Sequence, residues 1–172
     1  MKSVREYTIT GLLVALSIVI PMFMPLKIII PPFTMTFAAH VPAILSMFIS
    51  PLAVVLVSIG NAIGFMGLGP IVVVRAASHV IFGLIGCYMV KKRMNYVLII
   101  LVTMIIHGLS EFTVIFGFST TLLANTASIW ATAYTTLFGT MLHHIIDFAI
   151  STPILIALTR TKNITYDIIR KG

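Results

Sequence analysis

A chain of 172 residues that is 59% hydrophobic and 9% charged, with a mean hydropathy of +1.14, does not fit a soluble domain, in which charged residues make up about a quarter. Its apolar runs are continuous rather than alternating, which argues against a membrane barrel and for helices, the form in which lipid-embedded backbone satisfies its own hydrogen bonds. The net charge of +7 does not mark a nucleic-acid-binding protein, because nine of the eleven Lys and Arg fall at helix ends or termini, where they report topology.

In chain order the pattern predicts six spans in a single transmembrane domain over residues 1–172. The start, Met1 to Glu6, is basic like a signal sequence, but no small-residue cleavage site follows the apolar run, so it reads as a retained helix. That first helix runs from about Thr8 to Met24 and is closed by Pro21 and Pro25. Leu26 to Pro32, with Lys27 and the Pro31-Pro32 pair, reads as a loop, since consecutive prolines remove donors and favour extended backbone.

A second helix is expected from about Phe33 to Ile49 and, after the Ser50-Pro51 turn, a third from about Leu52 to Phe65. One continuous helix over both would be about 50 Å long, too long for the apolar core of a bilayer. The glycine-rich turn Gly64 to Pro70 leads to a fourth helix, about Ile71 to Val90, stopped by Lys91-Lys92-Arg93. A fifth runs from about Tyr96 to Phe118. Ser119 to Ala133, rich in Ser, Thr and Ala, reads as a partly helical connection, and the sixth helix covers about Thr135 to Leu158. With both termini on one face, that face carries nine Lys and Arg and the other only Lys27, which assigns the first face to the cytoplasm. Cys87, the single cysteine, permits no intrachain disulfide and reads as a packing residue.

The intramembrane polar groups then fall together. His40, Asn61, Arg75, Glu111 and His143 lie in the outer halves of their helices, and His79, His107 and Asp147 near mid-depth, while the inner halves carry almost none. Arg75 with His79, His107 with Glu111, and His143 with Asp147 are spaced i,i+4 and share a helix face. Unpaired, Arg75, Glu111 and Asp147 would cost on the order of 8 to 10 kcal/mol in lipid, so they must meet one another, water or a ligand. The expectation is a polar chamber, open to the outside and sealed below, lined by His40, Asn61, Arg75, His79, Glu111, His143 and Asp147.

A guanidinium fork in such a chamber matches a carboxylate-bearing small molecule, and its fixed charge weighs against a metal unless it is turned away. No metal site and no bound cofactor are therefore expected. No phosphate-binding glycine loop with Lys and Ser or Thr, no H-E-x-x-H and no G-x-S-x-G is present in the sequence, so neither ATP hydrolysis nor an enzyme is indicated. On the first helix, Gly11 and Ala15 form a small-xxx-small pair that suits close approach of another helix.

These features, with the segments Ala39-His40-Val-Pro42, Met47-Phe-Ile-Ser50-Pro51 and Arg75-Ala-Ala-Ser-His79-Val-Ile-Phe82, resemble the substrate-binding S components of energy-coupling factor (ECF) vitamin transporters. The resemblance covers essentially the whole chain. It implies a six-helix, all-α integral protein of the bacterial cytoplasmic membrane that captures a water-soluble vitamin from outside. It also implies partners, a transmembrane coupling protein and two cytoplasmic ATPases, with docking through the first helix, where Gly11 and Ala15 stand for the usual Ala-xxx-Ala. Arg75 favours pantothenate first and nicotinate next; Glu111 and the histidines keep hydroxymethylpyrimidine and pyridoxine-like compounds open. The competing readings are a stand-alone carrier for a small organic anion and a membrane metal-binding protein.

Overall fold

The computed structural model describes residues 4–30, 33–122 and 126–160. Pro31, Pro32, Lys2, Lys162, Arg170 and Lys171, which entered the loop and topology expectations, lie outside the described residues. The elements in order are α1 (Val4–Phe23), a hairpin of β1 (Lys27–Ile30) and β2 (Phe33–Thr36), α2 (Val41–Ser46), α3 (Pro51–Gly64), a short 3-10 turn, α4 (Pro70–Lys91), α5 (Tyr96–Leu122) and α6 (Thr126–Arg160).

Four of these, α1, α4, α5 and α6, are long and apolar enough to cross a membrane, and α3 is a shorter apolar helix of 14 residues. Their surfaces are inverted relative to a soluble protein. Leu12, Leu101, Ile105, Leu109, Phe138 and Leu142 are exposed, while histidines, Glu111 and Asp147 are buried. Lipid, not water, suits such an exterior.

Helix starts follow local chemistry. Ser50 caps α3, its side chain accepting from Ala53 N at 3.3 Å, with Pro51 in the first turn, where a missing N–H costs nothing. Gly69, at φ 96°, makes the left-handed entry to α4. Glycines also set a close helix contact: a Cβ on Gly64 would lie 2.7 Å from the Ile18 carbonyl oxygen, and one on Gly60 would meet Ser17 Oγ. Thus α1 and α3 run side by side in the same direction.

The order across the bundle is α1, α3, α4, α5, α6, each packed on the next, with α2 touching α1, α3, α4 and α6. All six residues of α2 are buried. Protein rather than lipid surrounds it, which is what permits non-helical backbone at its ends. Beneath the polar chamber, towards the Lys91–Arg93 turn, the interior is apolar and includes Met47, Val54, Met89, Ile99 and Leu155.

Two expectations are corrected. Residues 33–49 do not form a second long helix within the otherwise helical fold: 33–36 are a strand, and only 41–46 are α-helical. The β1–β2 pair is antiparallel, Lys27 opposite Thr36 and Ile30 opposite Phe33. A helix through this segment is broken at Ala38, whose φ of 62° is left-handed. Asp147 holds that turn, accepting from Ala38 N at 3.0 Å and His40 N at 2.9 Å, a constraint from more than 100 residues away that local pattern cannot carry.

The connection expected over 119–133 is mostly helix, since α5 continues to Leu122 and α6 begins at Thr126. Residues 131 and 132 of that stretch accept from threonines one turn on: Thr135 donates to Ala131 O and Thr136 to Thr132 O. Phe112, Phe116, Trp130 and Tyr134 pack their rings across the two helices, with Phe116 and Trp130 centroids 4.9 Å apart.

The α1–α3 contact leaves no room for a side chain. Gly64→Ala is expected to lower stability by about 1–3 kcal/mol through overpacking, read as a fall in the thermal unfolding midpoint in detergent. Gly11→Ala, where nothing lies within 4 Å of the new Cβ, is expected to leave the midpoint unchanged.

Candidate functional site

The sequence placed seven residues in one chamber, and the fold brings them to one buried region built from β2, the turn before α2, and α3 to α6. Glu111 is its hub. Its Oε2 accepts from Arg75 Nη2 at 2.6 Å, Arg75 Nε at 3.1 Å and Thr140 Oγ1 at 2.5 Å. Its Oε1 faces His79 Nε2 at 3.1 Å and His107 Nε2 at 3.5 Å. Arg75 and Glu111 are each 3% exposed, so this ion pair is formed out of water. The partner of Arg75 is therefore Glu111, not Asp147.

Asp147 makes the second hub. Besides the Ala38 and His40 amides, its Oδ2 lies 3.1 Å from His143 Nε2 and 3.0 Å from His40 Nδ1. The latter contact is close but not aligned as a hydrogen bond. His143 Nε2 also lies 3.0 Å from Thr36 O on β2. Asn61 supports the same turn, donating from Nδ2 to Ala39 O at 2.9 Å. Its role is thus to fix the backbone around His40 rather than to meet the charged pair.

The i,i+4 reasoning holds in space: His107 meets Glu111, His143 meets Asp147, and Arg75 and His79 converge on the same carboxylate. His40 stands at the centre, its ring centroid 4.3 to 4.6 Å from those of His79, His107 and His143. Four further side chains belong to the network. Thr140 sits three residues before His143 and seven before Asp147, so its face was readable. His144 and Thr103, which bond each other at 3.0 Å, were readable only in part. Thr34 was not readable, because its place on β2 follows from a hairpin that the pattern did not indicate.

The hairpin closes the chamber. Arg75 Nη1 reaches Thr34 Oγ1 at 3.4 Å, His143 meets Thr36 O, and the Phe33 ring fills a notch at Gly139, where a Cβ would lie 2.6 Å from ring Cε2. Between the hairpin and α4, Thr34, Phe65, Val72, Arg75, His79 and Glu111 enclose a hollow of about 10 Å³, room for about one water and far below the size of a vitamin. The arrangement can hold an anion at the guanidinium edge or a cation among the histidines and carboxylates. One nitrogen each of His40, His79 and His107 and an oxygen of Glu111 lie within 4.8 Å of one another, as do donors of His40, His143 and Asp147.

Over 96 residues, 55% of its length, the chain is 43% identical to the niacin transporter NiaX of Lactococcus lactis subsp. cremoris (strain MG1363). The chain is a relative of a vitamin transporter. The matched part amounts to 43% of that relative's own length. No family profile and no solved structure matches the chain. The similarity agrees with the resemblance to S components read from the sequence, and the long apolar helices make this a multi-pass membrane protein.

Breaking the central pair from one side leaves a buried charge. Arg75→Met is expected to destabilise the protein by about 3–5 kcal/mol. The double variant Arg75→Met/Glu111→Gln is expected to lose less than the two single losses added together, with a coupling of about 0.5–3 kcal/mol. Denaturation of all four proteins in the same detergent measures it.

Proposed function

We propose that this chain is the substrate-binding S component of an ECF-type importer and that its cargo is niacin in the carboxylate form, nicotinate. The observation that carries the reading is a buried arginine, held ready at the edge of a closed chamber, in a relative of a niacin transporter. Among the vitamins considered from the sequence, nicotinate joins a carboxylate to a flat aromatic ring. The carboxylate matches the Arg75 fork, and the ring matches the aromatic walls of His40, His79 and Phe82.

In this reading α1, α4, α5 and α6 cross the membrane, and α2 and α3 form the two remaining legs, one descending from the hairpin and one returning. Both ends of the chain then share the cytoplasmic side with Lys91–Arg93, as the charge asymmetry suggests. The chamber opens outward when the β1–β2 hairpin lifts. Thr34 withdraws from Arg75, the ligand carboxylate takes its place at Nη1, and Glu111 keeps the other edge of the guanidinium. Arg75, His79 and Glu111 contact ligand, His40 and His143 wall it, and Asp147 and Asn61 hold the His40 turn.

Energy would come from a coupling protein and two ATPases. Gly11 and Ala15 support docking through α1, since both are exposed, no atom lies within 4 Å of a Cβ placed on Gly11, and only 22% of the apolar window of α1 is buried. Gly11→Leu or Ala15→Leu is expected to leave ligand binding intact and abolish co-purification with the coupling protein; normal assembly would remove the docking assignment.

Discrimination between nicotinate and nicotinamide tests the cargo. The two differ only where Arg75 would bind, and a charge-assisted hydrogen bond is worth about 1.5–3 kcal/mol, so wild-type protein is expected to prefer nicotinate by roughly 10- to 150-fold. Arg75→Ala is expected to erase that preference, and because the readout is a ratio it survives a general loss of stability. Equal binding of both compounds by wild-type protein would contradict the assignment.

A further inference from the structure

The hydrogen-bond chain behind His107 fixes where its proton sits. Thr103 Oγ1 donates to Ile99 O at 2.6 Å, so its oxygen accepts from His144 Nε2 at 3.0 Å. His144 then presents a bare Nδ1, which must accept from His107 Nδ1 at 3.0 Å. Neutral His107 is left with an Nε2 lone pair facing Glu111 Oε1 at 3.5 Å, acceptor against acceptor, in a site where His107 is fully buried. That nitrogen has no hydrogen-bond partner.

His79 repeats the pattern. Its Nε2 donates to Glu111, which can only accept, so Nδ1 carries a lone pair and is likewise buried without a partner. His40 Nδ1 is a third unpartnered ring nitrogen. Only the His107 lone pair faces Glu111 directly, but donors of His40, His79, His107 and Glu111 all lie within 4.8 Å of one another, and a cation among them would relieve that opposition of acceptors. The charges have the right sign for a cation: Arg75 offsets one of the two buried carboxylates, Glu111 and Asp147, and with neutral histidines the site is left at −1, which a divalent ion would take to +1.

We propose that His40, His79, His107 and Glu111 form a binding site for one divalent transition-metal ion of the Zn²⁺ or Co²⁺ class. The donor set, three imidazoles and one carboxylate, is one those ions accept in four-coordinate geometry. A tetrahedral shell with bonds of about 2.0–2.1 Å has edges of about 3.4 Å, so donors now within 4.8 Å close in by up to about 1.4 Å on binding. Arg75, the natural objection to a metal, is turned to the opposite oxygen: it and Thr140 hold Glu111 Oε2 and leave Oε1 towards the histidines. His144 supports His107 from behind as an orienting partner. The site goes beyond the vitamin reading and does not depend on it.

The test uses the full chain in detergent, purified without a polyhistidine tag, stripped with chelator and titrated with Co²⁺ alone. Saturation at one ion per chain with the intense visible bands of four-coordinate Co²⁺ is expected, and X-ray absorption on that sample should count three imidazole nitrogens and one oxygen. His79→Gln and His107→Gln should each weaken binding by about 100-fold, the upper end of what loss of a mere supporting partner costs, while Ser58→Ala, elsewhere on α3, should not change it. If either variant fails to fold, the spectrum and the ligand count on wild-type protein still decide. No saturable binding, a six-coordinate aqueous spectrum, or equal binding by wild type and folded histidine variants would overturn the site, and the first of these would mean that a proton on His107 fills the gap. Nicotinate binding, measured on the same preparation with and without metal, stands or falls separately.

Discussion

The pairing of Arg75 with Glu111 is the constraint on which the rest of the chamber depends. Each charge costs several kcal/mol to take out of water, and a pair formed at 2.6 Å returns that cost only when the remaining valences are also met. Here they are met from the two neighbouring helices: Arg75 and His79 from α4 and Thr140 from α6, all converging on a carboxylate of α5. One carboxylate thereby fixes the azimuth of every long helix around the chamber. An apolar helix exterior has little power to do so, since lipid tails and leucine side chains are equally apolar.

Asp147 does comparable work on the backbone. A left-handed Ala38 and exposed amides at residues 38 and 40 would be unfavourable inside a membrane, and two hydrogen bonds to a carboxylate offset that cost. The result is a stretch of irregular chain at the top of a six-residue helix, surrounded by protein, with His40 placed at the centre of the imidazoles. Among the described residues the hairpin ahead of it meets the chamber through Phe33, Thr34 and Thr36.

What the sequence made legible was what periodicity and charge can encode. The long helices, the Ser50-Pro51 and Gly69-Pro70 boundaries, the basic turn at Lys91–Arg93, and the three i,i+4 polar pairs follow from local rules, and the fold brings those pairs together. The segment from Phe33 to Ile49 was misread because its conformation is imposed by Asp147, a contact no window of sequence contains. The helical start at Thr126 was missed because Ser and Thr suggest a linker in water, whereas in an apolar setting they bond back to their own helix. The choice of Glu111 over Asp147 as the partner of Arg75 depended on tertiary geometry alone, as did the part played by Thr34.

The central claim is that the chamber, once its hairpin has lifted, takes a carboxylate-bearing vitamin at Arg75. The most direct measurement is mass spectrometry of the small molecule released by denaturing protein purified from its native membrane without added vitamin. Nicotinate at close to one molecule per chain is the result this account predicts. Stoichiometric release of a compound without a carboxylate would contradict it.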